Sequence, residues 1–316
     1  VTVGHPGDAV LVEDGRGAML AGHVAEAAGP AHVAVLRTGG LALFGGGGGS
    51  PAGWWSSPAL AAGEPCHDVA GCATAAGVHH GVNRCGLLAA CAPAGPVARA
   101  GLAGAVLARA AGVEEAAELL GSAAAALDGP DRVWLAGPGG GLRLELDGGG
   151  ARRHPLTPSP PAQDEGLDRL RAALRHRATG GAVSAIAARL DAAGPTLLVC
   201  LGPPAGGVFI RQWPGIPAPP PLTGGADSPP SLGSLAAALA AAPVREGTAA
   251  ALAAAEAEAL AEGDEAERMA RIMDAAGDDH GAEVRRALAQ AYAADLAASA
   301  VERLLTSRRS ISGPTL

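Results

Sequence analysis

Gly77-Val78-His79-His80-Gly81-Val82-Asn83-Arg84-Cys85-Gly86-Leu87 is the stretch on which the reading of this chain turns. Asn83 is its centre, the only asparagine among 316 residues. Lysine is absent, and all 23 strongly basic residues are arginine. That usage fits a GC-rich coding sequence drained of AA-rich codons, so a surviving asparagine is expected to have a job. Asn tolerates the left-handed turn conformation, and Gly86 follows at short range. Strands are expected on either side, at 69–78 and 86–91.

Working outward, residues 8–12 and 18–21 read as a strand pair around Glu13-Asp14-Gly15-Arg16-Gly17. Residues 31–36 and 41–44 read as a second pair around Thr38-Gly39-Gly40. The Gly, Pro and Ser-rich segment 45–65, with Trp54 and Trp55, reads as a loop. The period then becomes helical at 98–111 and 113–127, with Leu102, Val106, Leu107, Leu119 and Leu120 on apolar faces. Strands are expected at 132–136 and 142–146, helices at 165–177 and 181–192, and a further strand pair at 195–201 and 207–212. Hairpins separated by helix pairs suggest two sheets enclosed by helix layers. Seven prolines between Pro214 and Pro230 imply a stiff, extended connector at 214–231. Beyond it, 232–273 and 280–306 read as long helices, with Val284, Leu288, Tyr292 and Leu296 on one face. The division expected is 1–213, 214–231 and 232–316.

Composition excludes several functions. A net charge of −8 with no basic, aromatic-interleaved cluster argues against nucleic acid as partner. No stretch is apolar enough to suggest a membrane span. The start Val1-Thr2-Val3-Gly4-His5 has no charged or apolar leader pattern, and five cysteines is an odd count. A cytoplasmic protein with reduced thiols is expected. Without lysine there is no P-loop, so Gly45–Gly49 is a loop and no nucleotide cofactor is expected.

The window 66–91 holds Cys66, Cys72, Cys85 and Cys91 with His67, His79 and His80. Thiolates and imidazoles suit zinc. The five-residue gaps are wider than usual for paired zinc cysteines, and Cys85, Leu87, Ala89 and Cys91 alternate as one strand face. Strand packing is therefore preferred to a metal site, and no metal is expected.

Several segments together resemble the N-terminal nucleophile (Ntn) hydrolases, and among them the secernin and dipeptidase group, with bile-salt hydrolases and penicillin acylases beside it. Gly81-Val82-Asn83-Arg84-Cys85-Gly86-Leu87 is similar to that family's Gly-x-Asn-Glu-x-Gly-Val/Leu turn. Leu107-Ala108-Arg109 with Val113-Glu114-Glu115-Ala116 resembles the helix pair after it. Val133-Trp134-Leu135-Ala136 with Leu142-Arg143-Leu144-Glu145 resembles its next hairpin. Trp213-Pro214-Gly215-Ile216-Pro217-Ala218-Pro219 resembles a Trp-x-Gly-x-Pro-x-Pro segment, and Arg245 with the 256–267 run resembles its helical end. The resemblance implies an α+β, four-layer αββα sandwich with a C-terminal helical extension.

It also implies a site. The family's nucleophile is an N-terminal Cys, Ser or Thr whose own amine acts as base. Val1 reads as a GTG start, and its removal would expose Thr2, 81 positions before Asn83. Gly22-His23-Val24-Ala25-Glu26 matches a Gly-Arg/Lys-Asn-x-Asp segment, with His23 at the cation position, Glu26 at the aspartate position, and Val24 departing from it. Asn83 would donate to the oxyanion, and His154 stands where a second asparagine is expected. The implied function is an amide-bond hydrolase or acyltransferase acting on a small amide or peptide. The competing expectation is a catalytically inactive relative serving in binding or as a scaffold, and the third is a Cys/His metal-binding module. No nucleic acid or membrane partner is expected, and a homo-oligomer would form through the C-terminal helices.

Overall fold

The structure is a computed structural model. It describes residues 9–14, 18–26, 31–38, 60, 65–74, 77–91, 101–127, 131–158, 166–177, 181–191, 194–224, 230–242 and 246–309. Thr2, Trp54, Trp55, Arg245 and the strand expected at 41–44 lie outside the described residues.

In chain order the strands are β1 (Val10–Glu13), β2 (Met19–Glu26), β3 (His32–Leu36), β4 (Val69–Thr74), β5 (Gly77–Asn83), β6 (Leu88–Cys91), β7 (Asp131–Gly137), β8 (Gly140–Asp147), β9 (Gly150–Leu156), β10 (Ala182–Leu190), β11 (Thr196–Leu201) and β12 (Phe209–Gln212). The helices are α1 (Gly101–Leu107), α2 (Val113–Ala123), α3 (Leu167–Arg177), α4 (Pro220–Thr223), α5 (Leu232–Ala241), α6 (Thr248–Ala275) and α7 (Asp279–Arg309). The strands form two antiparallel sheets, one of order β1-β2-β10-β11-β12 and one running β3 through β9 in sequence. The molecule is thus α+β with two sheets, as expected.

Strand alternation sorts the side chains into layers. Met19, Ala21, Ile186, Ala188, Leu197 and Val199 of one sheet share a buried cluster with Val33, Cys72, Val82, Leu88 and Trp134 of the other. On the far side of the seven-stranded sheet, Val69, Val78, Leu135 and Leu144 pack against Leu102, Val106, Leu107 and Leu120 of α1 and α2. On the far side of the five-stranded sheet, Val10, Val12, Leu20 and Phe209 meet Leu170 and Leu174 of α3. With aromatic content at 2%, small residues let backbones approach closely. A Cβ on Gly81 would sit 2.6 Å from the Ala70 carbonyl oxygen and 3.2 Å from Leu107 of α1, so only glycine lets the helix lie flat there.

Three expectations need correction. Residues 181–192 are not a helix but β10, a central strand between β2 and β11. Its two alternating sets, Ser184/Ile186/Ala188 and Ala185/Ala187, are both buried, so period two is masked and alanine fits either state. The run 69–78 is two strands, β4 and β5, paired with each other. β3 pairs with β4. The Pro-rich segment is packed: Ala218 and Leu222 are buried, Pro220–Thr223 is helical, and Gln290 Nε2 donates to the Pro217 carbonyl at 3.2 Å. Leu232, Leu235, Leu252, Ala293 and Val301 of the tail belong to the same cluster as the inter-sheet core, so the tail packs on the sandwich.

One buried ion fixes the tail. Glu256 of α6 is 5% exposed. It takes ion pairs from Arg171 and Arg175 of α3, and its Oε2 accepts from Phe209 N–H of β12 at 2.7 Å. Burying a carboxylate is tolerable only with such complete pairing, and removing one partner leaves uncompensated charge. Glu256→Ala is expected to cost about 3–5 kcal/mol, read as a lower urea midpoint. An unchanged midpoint would mean the tail is held by apolar contact alone.

Candidate functional site

The centre of the sandwich is organised by one extra residue. The β4–β5 register shifts between Cys72, opposite His80, and Ala73, opposite Val78, leaving His79 as a bulge. Val78 therefore packs with the helix-side cluster, while His80, two positions on, turns between the sheets, which strict alternation forbids. His79 is held by Thr74, with Nε2 and Oγ1 2.8 Å apart.

His80 reaches across to the other sheet. Its Nε2 lies 3.0 Å from Ser184 Oγ of β10, and its Nδ1 lies 2.8 Å from His23 Nδ1 of β2. Trp134 of β7 covers His23, ring centroids 5.5 Å apart. Hydroxyl, imidazole and imidazole in series have the order of a nucleophile, base and orienting group. All three are fully buried, so the chain ties the sheets together and admits no substrate as it stands. Burial holds His80 well below the usual histidine range, and the His23 and His79 rings add to the effect. Burial likewise pushes His32 down to about 4. It does the same to His79, also to about 4, with His32 contributing.

Asn83 faces the opposite side of the sheet. Its Nδ2 donates to the carbonyls of Leu107 at 3.0 Å and Ala110 at 2.6 Å, capping the end of α1. Its Oδ1 accepts from Cys85 N–H at 3.1 Å and Leu87 N–H at 3.0 Å, and its own N–H donates to the Leu87 carbonyl at 3.0 Å. The left-handed residue of the turn is Gly86, at φ 82°, not Asn83. Every donor on Asn83 is thus committed to a protein acceptor.

The other expected site residues do not converge. Thr2 lies outside the described residues. His23 points between the sheets, whereas Glu26 shares the outer side of β2 with Val24, so the two cannot orient one amine together. His154 sits half-exposed on the edge strand β9, 3.3 Å from Glu145. It occupies the same cross-strand row as His80, but four strand spacings away, about 19 Å, too far to share an oxyanion with the β5 turn. Cys72 and Cys91 are buried thiols that burial pushes upward, Cys72 to about 12, as strand packing implies. Cys66 and Cys85 are exposed, which corrects the expectation that Cys85 lies on the buried strand face. Among the described residues no group of three or more His, Cys, Asp or Glu side chains could hold a metal. Ser184 and the His23–His80 contact were missed. The signal available was the His-His pair beside the close-approach glycines Gly71 and Gly81, but nothing in the sequence announces the bulge.

A cavity of about 700 Å³ opens beside the turn, lined by Arg37, Asp68, Arg84, Trp213, Glu267 and Arg286 among others. Its walls alternate in sign. Trp213 Nε1 donates to Glu267 at 2.9 Å, and Arg286 does so at 3.1 Å. Burial pushes Glu267 up, but hydrogen bonds from Arg271 and Arg286 outweigh it and hold the carboxyl below its usual range. Arg84 is the least engaged, with an 81% exposed side chain whose nearest carboxylate, Asp68, is 3.9 Å away.

No protein-family model matches the chain, and no curated protein matches it. Among solved structures it is similar to penicillin V acylase from Agrobacterium tumefaciens, at 16% identity and a TM-score of 0.33. The match covers 53% of this chain and 55%, about half, of that one.

Two outcomes follow from this geometry. Asn83→Ala and the nearly isosteric Asn83→Asp both strand the Leu107 and Ala110 carbonyls, and each should cost about 3 kcal/mol or more in urea unfolding. A stable Asn83→Asp protein would refute the capping role. For the histidines, the unfolded state protonates near the ordinary value of 6.5, whereas folded His32 and His79 hold out to about 4. Below 6.5 the unfolded state binds more protons, so stability falls as pH drops through that window. Unfolding free energy should decline by on the order of 4 kcal/mol from pH 7.5 to 5, with a shallower slope in His79→Asn.

Proposed function

We propose that this chain is a non-catalytic relative of the N-terminal nucleophile amide hydrolases and that it binds a small peptide or amide ligand. The commitment of all Asn83 donors to α1 and to its own turn carries this reading. An oxyanion needs donors left free to face it, and here those donors serve to cap a helix. The double antiparallel sheet with helices on both outer faces supports the architectural kinship. The cavity beside the turn supports the ligand class: arginines for a carboxylate and acids for an ammonium group suit a zwitterionic peptide.

A second reading is an amide-bond hydrolase or acyltransferase with Thr2 as nucleophile and its own amine as base. The β1–β2 register favours it: Val10, eight positions after Thr2, pairs with Gly22 on the strand that carries His23 and Glu26. Intact mass of native protein, combined with a hydrolysis panel of acyl amides and dipeptides, separates the two. The binding reading expects no turnover, and dipeptide affinity reduced about fivefold or more by Arg84→Ala in calorimetry. Turnover that Thr2→Ala abolishes, in protein lacking residue 1, would establish the hydrolase instead.

A further inference from the structure

The two exposed cysteines sit at the same end of the seven-stranded sheet but face different chemistry. Pairing of β4 with β5 ends at Val69 opposite Asn83. The Arg84 N–H then donates to the Asp68 carbonyl at 2.8 Å, carrying the two chains side by side beyond the strands. One residue further, Cys85 Sγ lies 3.5 Å from His67 Nδ1. Cys66 Sγ instead lies 3.3 Å from the Arg109 carbonyl and 3.5 Å from that of Ala108. Carbonyl oxygens accept from a thiol but cannot take its proton. An imidazole nitrogen can.

Cys85 is also held in place. Its N–H is fixed by Asn83 Oδ1, and Asn83 is pinned to α1 through Nδ2, so the turn cannot swing the thiol away from His67. On one side Arg84 lines the mixed-charge cavity; on the other Leu87 lines a second cleft, of about 470 Å³. Cys85 itself is exposed, and the loosely held Arg84 guanidinium next to it favours a small molecule bearing carboxylates.

We propose that Cys85, with His67 as its base, is a reactive thiol site that exchanges with small disulfides bearing carboxylates. His67 Nδ1 takes the Cys85 proton, and Sγ attacks one sulfur of the disulfide. A new S–S bond forms to Cys85 as the disulfide's own S–S bond breaks. The departing thiolate takes the proton from His67 and leaves as a thiol. Cys85 ends as a mixed disulfide, oxidised by the molecule it has reduced. The Cys85–His67 pair is independent of Thr2 and shares only Arg84 with the cavity proposed to bind peptides.

Oxidised glutathione is the probe, with adducts followed by intact mass and peptide mapping at pH 7. Cys85 is expected to be modified about tenfold faster than Cys66, the other exposed cysteine. Cys66→Ser should leave the rate unchanged and Cys85→Ser should abolish the fast phase. His67→Gln should slow Cys85 at pH 7 but not at pH 10, where the thiolate forms without a base. Loss of folding would instead slow both pH values or expose the buried Cys72 and Cys91 to labelling. Arg84→Ala should slow the reaction with oxidised glutathione and spare the neutral bis(hydroxyethyl) disulfide. Equal rates at Cys66 and Cys85, or no effect of His67→Gln at pH 7, would overturn the dyad. An Arg84→Ala effect that is the same for both disulfides would overturn the preference for carboxylates.

Discussion

A single surplus residue, His79, sets the orientation of everything around the β5 strand. Upstream of it Val78 belongs to the helix-side layer; downstream, His80 and Val82 belong to the layer between the sheets, and Gly81 and Asn83 to the helix side. Take the bulge out with Val78 kept in place and every downstream side chain changes face. His80 would lose Ser184 and His23, and Asn83 would lose the carbonyl ends of α1. The cross-sheet link and the helix cap thus both depend on the same irregularity. It costs a ladder hydrogen bond and gains two tertiary connections.

The C-terminal helices depend on a different kind of contact. Glu256 draws α3, α6 and β12 to one point by charge, while Leu252, Ala259, Ala293 and Ala297 continue the apolar core without a break. The contact surfaces are mostly alanine. Packing of that sort is tolerant of sliding, because one methyl group resembles the next. A buried carboxylate with three directed partners is not tolerant, and it supplies the register that the alanines leave open.

Much of the architecture could be read from the chain, because hairpins around Gly-rich turns and helices with Leu at three- and four-residue intervals leave strong periodic marks. β1, β2, β7, β8, β11 and β12 were visible in this way. β10 was not: in a strand buried on both faces, the run from Ala185 to Ala188 is apolar at every position and carries no period. The site was less legible than the fold. Asn83 stood out in the sequence, but its side-chain amide donates to backbone carbonyls at the end of α1 and just beyond it, 24 and 27 positions away, and sequence shows side chains, not carbonyls. His154 shares a row with His80, a coincidence of register that says nothing of proximity until the strands between them are counted. The chemistry at Cys85 was hidden by its apparent place in an alternating strand, which begins only at Leu88.

The chain from Ser184 through His80 to His23 has two neutral proton arrangements. The serine hydroxyl can donate to His80 Nε2 while His80 Nδ1–H donates to His23 Nδ1, or both imidazoles can take the other tautomer, so that His23 Nδ1–H donates to His80 Nδ1 and His80 Nε2–H to Ser184 Oγ. No heavy atom moves between them. The tautomers of His23 and His80 are therefore set together, one ring fixing the other across the gap between the two sheets.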